Sequence, residues 1–252
     1  MISLLFACKS VVAPEDYDSL MSFVYENFHG EEEVLEESLT QLNLILEEQS
    51  DAIYKGYRID RLSLAAIQTI EEREKEPNLL GISKSVDFNY PVDDFAYVNF
   101  AVHPQDVFLN PSAQNEREYV GDPLCFVNHS CEMLHYSAIL ERSLPLNIVA
   151  TIYFETDVRW VETEFGPAFI QRRWLTDDSK ISLDSVSINA GYSMAVTIPM
   201  KDGNAKQIET VWGDVDIGEL PVPEETAFLL GAGALEKILF QFEDYLDREA
   251  EE

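Results

Sequence analysis

The order of apolar and polar residues changes twice along this chain of 252 residues. Apolar residues recur every three or four positions near both ends, as in an amphipathic helix, and alternate with polar residues in the middle, as in a half-buried strand. Strands grouped between helices favour an α+β fold over repeated βαβ units. We therefore expect a single α+β domain over residues 1–252, with helices over 14–76, strands over 83–213 and a C-terminal amphipathic helix over 226–248.

Three helices are predicted in the first part of the chain. The first begins at Pro14, because proline suits the first turn of a helix, and runs to about Phe28. The second covers residues 31–49 and the third covers residues 62–75, ending before Pro77. The apolar stripe of the second helix contains Leu35, Leu39, Leu42 and Leu46.

A mainly antiparallel sheet with hairpins is predicted in the middle of the chain. The expected strands cover residues 85–90, 95–102, 147–154, 158–164, 168–174, 192–200 and 206–212. Two turn sequences join neighbouring strands, Phe165-Gly166-Pro167 and Lys201-Asp202-Gly203-Asn204. Short turns of this composition predict hairpins, so both flanking pairs of strands should be antiparallel.

The charge of the chain is strongly negative, with a formal net value of −30 at pH 7. The 45 residues from Ser10 to Tyr54 contain twelve Asp or Glu side chains and no Lys or Arg. Such a field repels nucleic acid and anionic lipid and attracts basic proteins. The sequence therefore favours a basic protein partner and disfavours direct binding to nucleic acid or to a membrane.

From this charge we predict an acidic, non-enzymatic binding protein without a cofactor. It would act as a nucleic-acid mimic or inhibitor, of the kind that phages encode, and occlude the basic nucleic-acid-binding site of a host nuclease or similar protein. A homodimer is expected, because twofold pairs are the commonest assembly. The predicted partner-binding residues are Glu31, Glu32, Glu33, Glu36, Glu37, Glu47 and Glu48 on the second helix, and Asp244, Asp247, Glu249, Glu251 and Glu252 at the C-terminal end.

Candidate metal chemistry is concentrated at Cys125, His129, Cys131 and His135. Their spacing differs from that of common zinc sites, and an extended strand would spread them beyond the reach of one ion. We therefore expect no bound metal and a half-buried sheet face instead. Residues 128–131 also resemble the Asn-His-Ser-Cys tetrad of SET-domain lysine methyltransferases, but the other elements of that family are missing, and nothing is transferred from it.

Two alternatives to the binding protein remain open from the sequence: a structural or assembly protein that forms homo-oligomers, and a metal-dependent enzyme without a recognised signature. The three cysteines are an odd number, and no secretory leader or membrane span is recognised, so a reducing, cytoplasmic setting is expected. The adjacent Arg172 and Arg173 are expected to form ion pairs at a sheet edge.

Overall fold

The computed structural model describes residues 12–109, 113–144, 148–176, 179–182, 187–216 and 224–251. Within them the helices are α1 (Tyr17–Glu26), α2 (Glu32–Lys55), α3 (Leu64–Ile67), α4 (Val92–Phe100), α5 (Pro104–Val107), α6 (Pro123–Val127) and α7 (Glu224–Glu251). The strands are β1 (Tyr57–Ile59), β2 (Leu80–Asp87), β3 (Ala113–Val120), β4 (Met133–Leu144), β5 (Ile148–Thr163), β6 (Gly166–Leu175), β7 (Lys180–Ile181), β8 (Ser187–Pro199) and β9 (Ala205–Asp216). The α+β class is confirmed.

The strands form a single antiparallel sheet. Its order is β1-β2-β9-β8-β6-β5-β4-β3, and β7 pairs with one end of β5. Both predicted hairpins are present: Thr163 pairs with Gly166 at the β5–β6 turn, and Pro199 pairs with Ala205 at the β8–β9 turn. Gly203 has a φ of +88° in the second turn, a conformation that glycine adopts without steric cost.

Helices cover the two faces of this sheet. On one face, α1 and α2 bury apolar residues against Ile170, Ile208 and Trp212. On the other face, α4, α6 and α7 pack against residues that include Phe169 and Tyr136. Adjacent residues of β6, such as Phe169 and Ile170, belong to different clusters because successive side chains of a strand point to opposite faces.

The prediction of a strand over residues 95–102 is wrong, because most of this segment is helix α4. Pro91 precedes the helix, and Asp93 and Asp94 lie in its first turn, where acidic side chains complement the helix dipole. Phe95, Ala96, Val98, Asn99 and Phe100 are all buried. A helix that is buried on most sides has no polar stripe, so its period is easily mistaken for that of a strand.

Other segments also differ from the predicted elements. Only Leu64–Ile67 is helical within residues 62–75, where Ser63 caps the helix by accepting a hydrogen bond from the Ala66 amide. Strand β2 begins at Leu80, and β1, β3, β4 and β7 were not predicted. The expected strands over 147–154 and 158–164 belong to one strand, β5, and residue 147 lies outside the described residues.

Candidate functional site

A cavity of about 570 Å³ lies between α7 and the sheet, on the face opposite α1 and α2. Residues of β3, β4, β5, β6 and β9 form its floor, and α4, α5 and α7 complete its walls. The cavity is lined by both apolar and polar side chains. The apolar residues that line it are Phe108, Leu140, Phe154, Val211, Leu229, Leu235, Ile238, Leu239 and Phe242.

Small residues lie on the cavity face of β8, in the middle of the sheet. Ala195 of β8 pairs with Gln171 of β6 and with Glu209 of β9, so the three side chains lie on one face. Ser193 occupies the same face, opposite Arg173. An alanine and a serine at these positions occupy less space than larger side chains would, which favours a hollow on this face of the sheet.

Polar atoms on this face lack partners among the described residues. Of the six buried side-chain atoms without a hydrogen bond, five belong to residues on the cavity face of the sheet. They are Asn115 Oδ1, Thr156 Oγ1, Arg173 Nε, Thr197 Oγ1 and Gln207 Oε1. Buried polar atoms in proteins are almost always hydrogen-bonded, so these atoms indicate places where a bound molecule or water supplies the missing group.

Glu209 is a buried acid in this cavity wall. Burial raises the pKa of its carboxyl group, and Arg173 and a hydrogen bond with Ser193 oppose this shift only in part. The distance from Arg173 Nη1 to Glu209 Oε1 is 3.9 Å, at the limit of an ion pair. The charged form of Glu209 is therefore disfavoured in the folded protein.

We expect Glu209→Gln to raise the free energy of unfolding at pH 7 by about 1 kcal/mol, because an amide avoids the cost of a buried, weakly paired charge. The pKa of Glu209 is higher in the folded than in the unfolded protein, so ionisation of Glu209 lowers the free energy of unfolding as pH rises above about 4.3. The gain from Glu209→Gln should therefore be larger at pH 7 than at pH 4. Urea denaturation at pH 7 and at pH 4 measures the effect. A gain that is equal at both pH values would contradict it.

The opposite end of the cavity contains Arg117 on β3. Its guanidinium group donates hydrogen bonds to the carbonyl oxygen of Asn99 and to the hydroxyl of Tyr119, and lies 5.2 Å from the ring centre of Tyr136. Gln171 donates a hydrogen bond of 2.7 Å to the Tyr136 hydroxyl. Asn99 and Gln171 are buried, so this end of the cavity is polar as well as enclosed.

A second, more apolar hollow of about 270 Å³ adjoins the cavity at the ends of β5, β6, β8 and β9. The two spaces have Phe154, Arg173 and Val211 in common. Phe154 also lies beneath the Arg173 guanidinium, with 5.0 Å between the guanidinium carbon and the ring centre. A ligand in the larger cavity therefore has an apolar space next to it.

The other face of the sheet contains a buried ion pair. Arg172 Nη2 donates to Asp157 Oδ2 at 2.8 Å, and Asp157 Oδ1 lies 2.8 Å from His135 Nδ1. His29 lies 3.3 Å from the same carboxylate. The ion pairs predicted for Arg172 and Arg173 are present, with Asp157 and Glu209, but both arginines belong to β6 in the middle of the sheet, so the predicted edge location is wrong.

The predicted partner-binding acids among the described residues are exposed, but they lie on two separate helices. Those of the first group are on or just before α2, and those of the second group are on α7, on the opposite side of the sheet. Glu47 pairs with Lys201 at 3.0 Å, and Asp247 accepts a 2.7 Å hydrogen bond from Tyr90. Glu252 lies outside the described residues. The structure does not join these acids into one surface, and their role in partner binding stays a prediction.

The four candidate metal ligands form a disulfide and separate histidine contacts. Cys125 and Cys131 form a disulfide, which the expected reducing setting did not predict. The expected strand is absent from the start of this segment, because Cys125 lies in α6 and His129 in the following turn with a φ of +54°. His129 stacks on Trp160 and contacts Asp93, whereas His135 contacts Asp157 and Glu155. Among the described residues, no group of three or more His, Cys, Asp or Glu could hold a metal ion.

Comparisons with protein-family models and with curated proteins find no match. Solved structures do match the fold. A START superfamily protein from Mycobacterium smegmatis has a TM-score of 0.43 and 12% identity, covering 67% of this chain and 97% of its own. The Zhui aromatase/cyclase from Streptomyces sp. R1128 has the same TM-score and identity, covering 69% and 94%. Norcoclaurine synthase from Thalictrum flavum has a TM-score of 0.38 and 11% identity, covering 70% and 99%.

These neighbours have helix-grip folds of the START and Bet v1 type and are not nucleic-acid mimics. The predicted mimicry, and with it the inhibition of a host protein by a phage product, is wrong: the acids expected to imitate phosphates lie on α2 and α7, which pack on opposite faces of the sheet. The charge run of α2 is the solvated face of a helix whose other face packs on the sheet. The neighbours include enzymes, and the expectation that this chain is not one stays a prediction.

Within the described part of the chain, no helix is long and apolar enough to cross a membrane. The cytoplasmic location, the single domain and the homodimer stay predictions.

Proposed function

We propose that this protein binds a small, mainly apolar molecule with a few polar groups in the cavity between α7 and the sheet. The observation that supports this function most directly is the set of unpartnered polar atoms on the cavity face. A purely structural hollow would have apolar walls, since an unpaired buried polar atom costs about 1–3 kcal/mol. A ligand with hydroxyl, carbonyl or similar groups would satisfy those that line the cavity, on Asn115, Arg173 and Gln207.

The lining also has the composition of a ligand site. Small-molecule pockets are typically about 300–1,000 Å³, mostly apolar, with a small number of polar groups that fix the orientation of the ligand. The cavity of about 570 Å³ fits this description, with Phe154 and Phe242 as aromatic walls. Gln207 on the floor is buried, and its Oε1 atom is free to accept a hydrogen bond from a ligand.

A fluorescence titration with Nile red, an uncharged apolar probe, tests this function. We expect saturable binding to one site per chain, with a blue-shifted emission because the probe enters an apolar space. Val211→Trp should reduce binding by about tenfold or more, since the larger side chain occupies part of the cavity. Thr40→Trp, on the exposed side of α2, is the matched control and should bind like the unaltered protein. Binding that does not saturate, or that Val211→Trp leaves unchanged, would contradict the proposal.

A further inference from the structure

We infer that the Arg117 end of the cavity binds an oxyanion group, such as a carboxylate, of the ligand. This inference rests on the proposed function and specifies the chemistry of its ligand. Arginine stays charged under all ordinary conditions, so Arg117 brings a full positive charge to the cavity wall. Such a charge requires a negative group to balance it.

No carboxylate among the described residues forms an ion pair with Arg117. Its guanidinium contacts are the Asn99 carbonyl oxygen, the Tyr119 hydroxyl and the Tyr136 ring, all of them uncharged. The contrast with the other enclosed arginines is clear, because Arg172 pairs with Asp157 and Arg159 pairs with Glu132. Arg117 is partly buried, and enclosed charges in proteins are normally paired, so its positive charge is available to an anion.

The surroundings of Arg117 suit such a group. Asn115 lies two residues away on the same face of β3 and lines the same cavity, and its unpartnered amide oxygen would accept a hydrogen bond from a hydroxyl or N–H group of the ligand beside the anion. Gln105 lines this end as well. The guanidinium is planar and presents its donors in a fork that matches two carboxylate oxygens. The Asn115 acceptor beside it would orient a donor group of the same ligand.

The remaining charges of the cavity point in the same direction. Its lining contains Arg117, Arg173 and Lys237 but only one acid, Glu209, whose burial disfavours ionisation. The net charge of the whole chain is −30, so a positive lining is opposite in sign to the protein as a whole. Arg173 lies 3.9 Å from Glu209 and Lys237 is exposed, so the positive charge without an acid beside it inside the cavity is that of Arg117.

Competition for bound Nile red by 1-decanol and by decanoate tests this inference, because the two molecules differ only in the charged end. The titrations are made at 0.15 M salt, where repulsion from distant surface acids is screened. We expect decanoate to bind at least about tenfold more tightly than 1-decanol, since a charge-assisted hydrogen bond contributes more than a neutral one. In an uncharged cavity the order would be reversed, because a buried carboxylate without a partner is costly.

Arg117→Met should reverse the preference, and Arg117→Lys should retain only part of it, because lysine keeps the charge and loses the planar fork. Arg61→Met is the matched control: Arg61 is exposed and donates to Asn78 outside the cavity, so the preference should not change. Thermal melting reports whether each variant folds. If Arg117→Met does not fold, the relative affinity of the unaltered protein for decanoate and 1-decanol is the test.

The outcomes separate the inference from the function on which it rests. Displacement by 1-decanol but not by decanoate would overturn the oxyanion site and leave the ligand-binding function standing. A preference for decanoate that survives Arg117→Met would also overturn it. If neither compound displaced Nile red, or if Nile red did not bind, the proposed function itself would fail.

Discussion

Asp157→Ala is expected to lower the free energy of unfolding by about 3–5 kcal/mol, the largest effect that we expect from the removal of one buried charge. The substitution leaves Arg172 with 2% of its surface exposed and without its carboxylate partner. Arg172 also donates hydrogen bonds to Tyr25 and Thr69 and lies near the rings of Tyr25, Phe28 and Trp174, none of which supplies a negative charge. Urea denaturation at pH 7 measures the loss.

The pH dependence gives this expectation a second test. Burial raises the pKa of Asp157, but hydrogen bonds from Arg172 and His135 outweigh burial and hold the pKa below its usual value. A carboxyl group with a lowered folded pKa stabilises the protein above its unfolded pKa, about 3.9, and loses this effect as pH falls. The difference between the two proteins should therefore be largest near neutral pH and shrink in acid.

Two controls distinguish a buried charge from a charge in general. Asp93→Asn removes an exposed partner of His129, and such a pair should contribute less than about 1 kcal/mol. Combining Asp157→Ala with Arg172→Met removes both buried charges and should recover much of the lost stability. A loss of under 1 kcal/mol for Asp157→Ala alone would show that Arg172 is not dependent on this carboxylate.

Gly233→Leu is expected to weaken Nile red binding by about tenfold or more while leaving the protein at least as stable. Gly233 lies in α7 and lines the cavity, and a Cβ atom at this position would meet no atom within 4 Å. Leucine therefore has room beside the cavity, where its side chain narrows the space for a ligand. Leucine also favours the helix over glycine by about 1 kcal/mol.

Gly233→Ala separates these two effects. Alanine improves the helix at least as much as leucine but adds a single methyl group, so it should stabilise the protein and reduce probe binding much less. Fluorescence titration and thermal melting of both variants provide the comparison. Equal loss of binding with both residues, or a leucine variant that binds like the unaltered protein, would contradict a role for this part of α7.

Much of the fold follows from local signals in the sequence. The Leu35 to Leu46 stripe predicts α2, because one apolar face at helical spacing is sufficient to specify a helix on a core. Lys201-Asp202-Gly203-Asn204 predicts the β8–β9 hairpin, since Gly203 accepts the positive φ of the turn. The segment around Phe95 was wrongly predicted as a strand, because a helix that is buried on most sides lacks the polar stripe that identifies it.

The cavity could not be predicted in the same way. Its floor depends on strand pairings between residues that are far apart in the chain, such as Gln171 of β6, Ala195 of β8 and Glu209 of β9. Polar residues at alternate strand positions normally indicate a face in contact with water. Here α7 covers that face, so the same alternation belongs to an enclosed site.

One signal in the sequence could have indicated it. The pattern predicted helices at both ends of the chain and one sheet between them, and two sets of amphipathic helices need two sheet faces to cover. A covered face that still contains Gln171, Arg173, Gln207 and Glu209 must have polar groups inside the protein. The run of acids in α2 instead indicated a basic protein partner, and in the structure these acids lie on the exposed side of that helix.

Native mass spectrometry of the protein after incubation with a small-molecule extract of cells tests the central claim most directly. We expect one bound small molecule per chain in the unaltered protein, and a clear reduction in the Gly233→Leu variant. Release and identification of that molecule would then show whether it carries the apolar body and polar groups that the cavity requires. A protein that retains nothing, or that retains the same molecule after Gly233→Leu, would contradict ligand binding in this cavity.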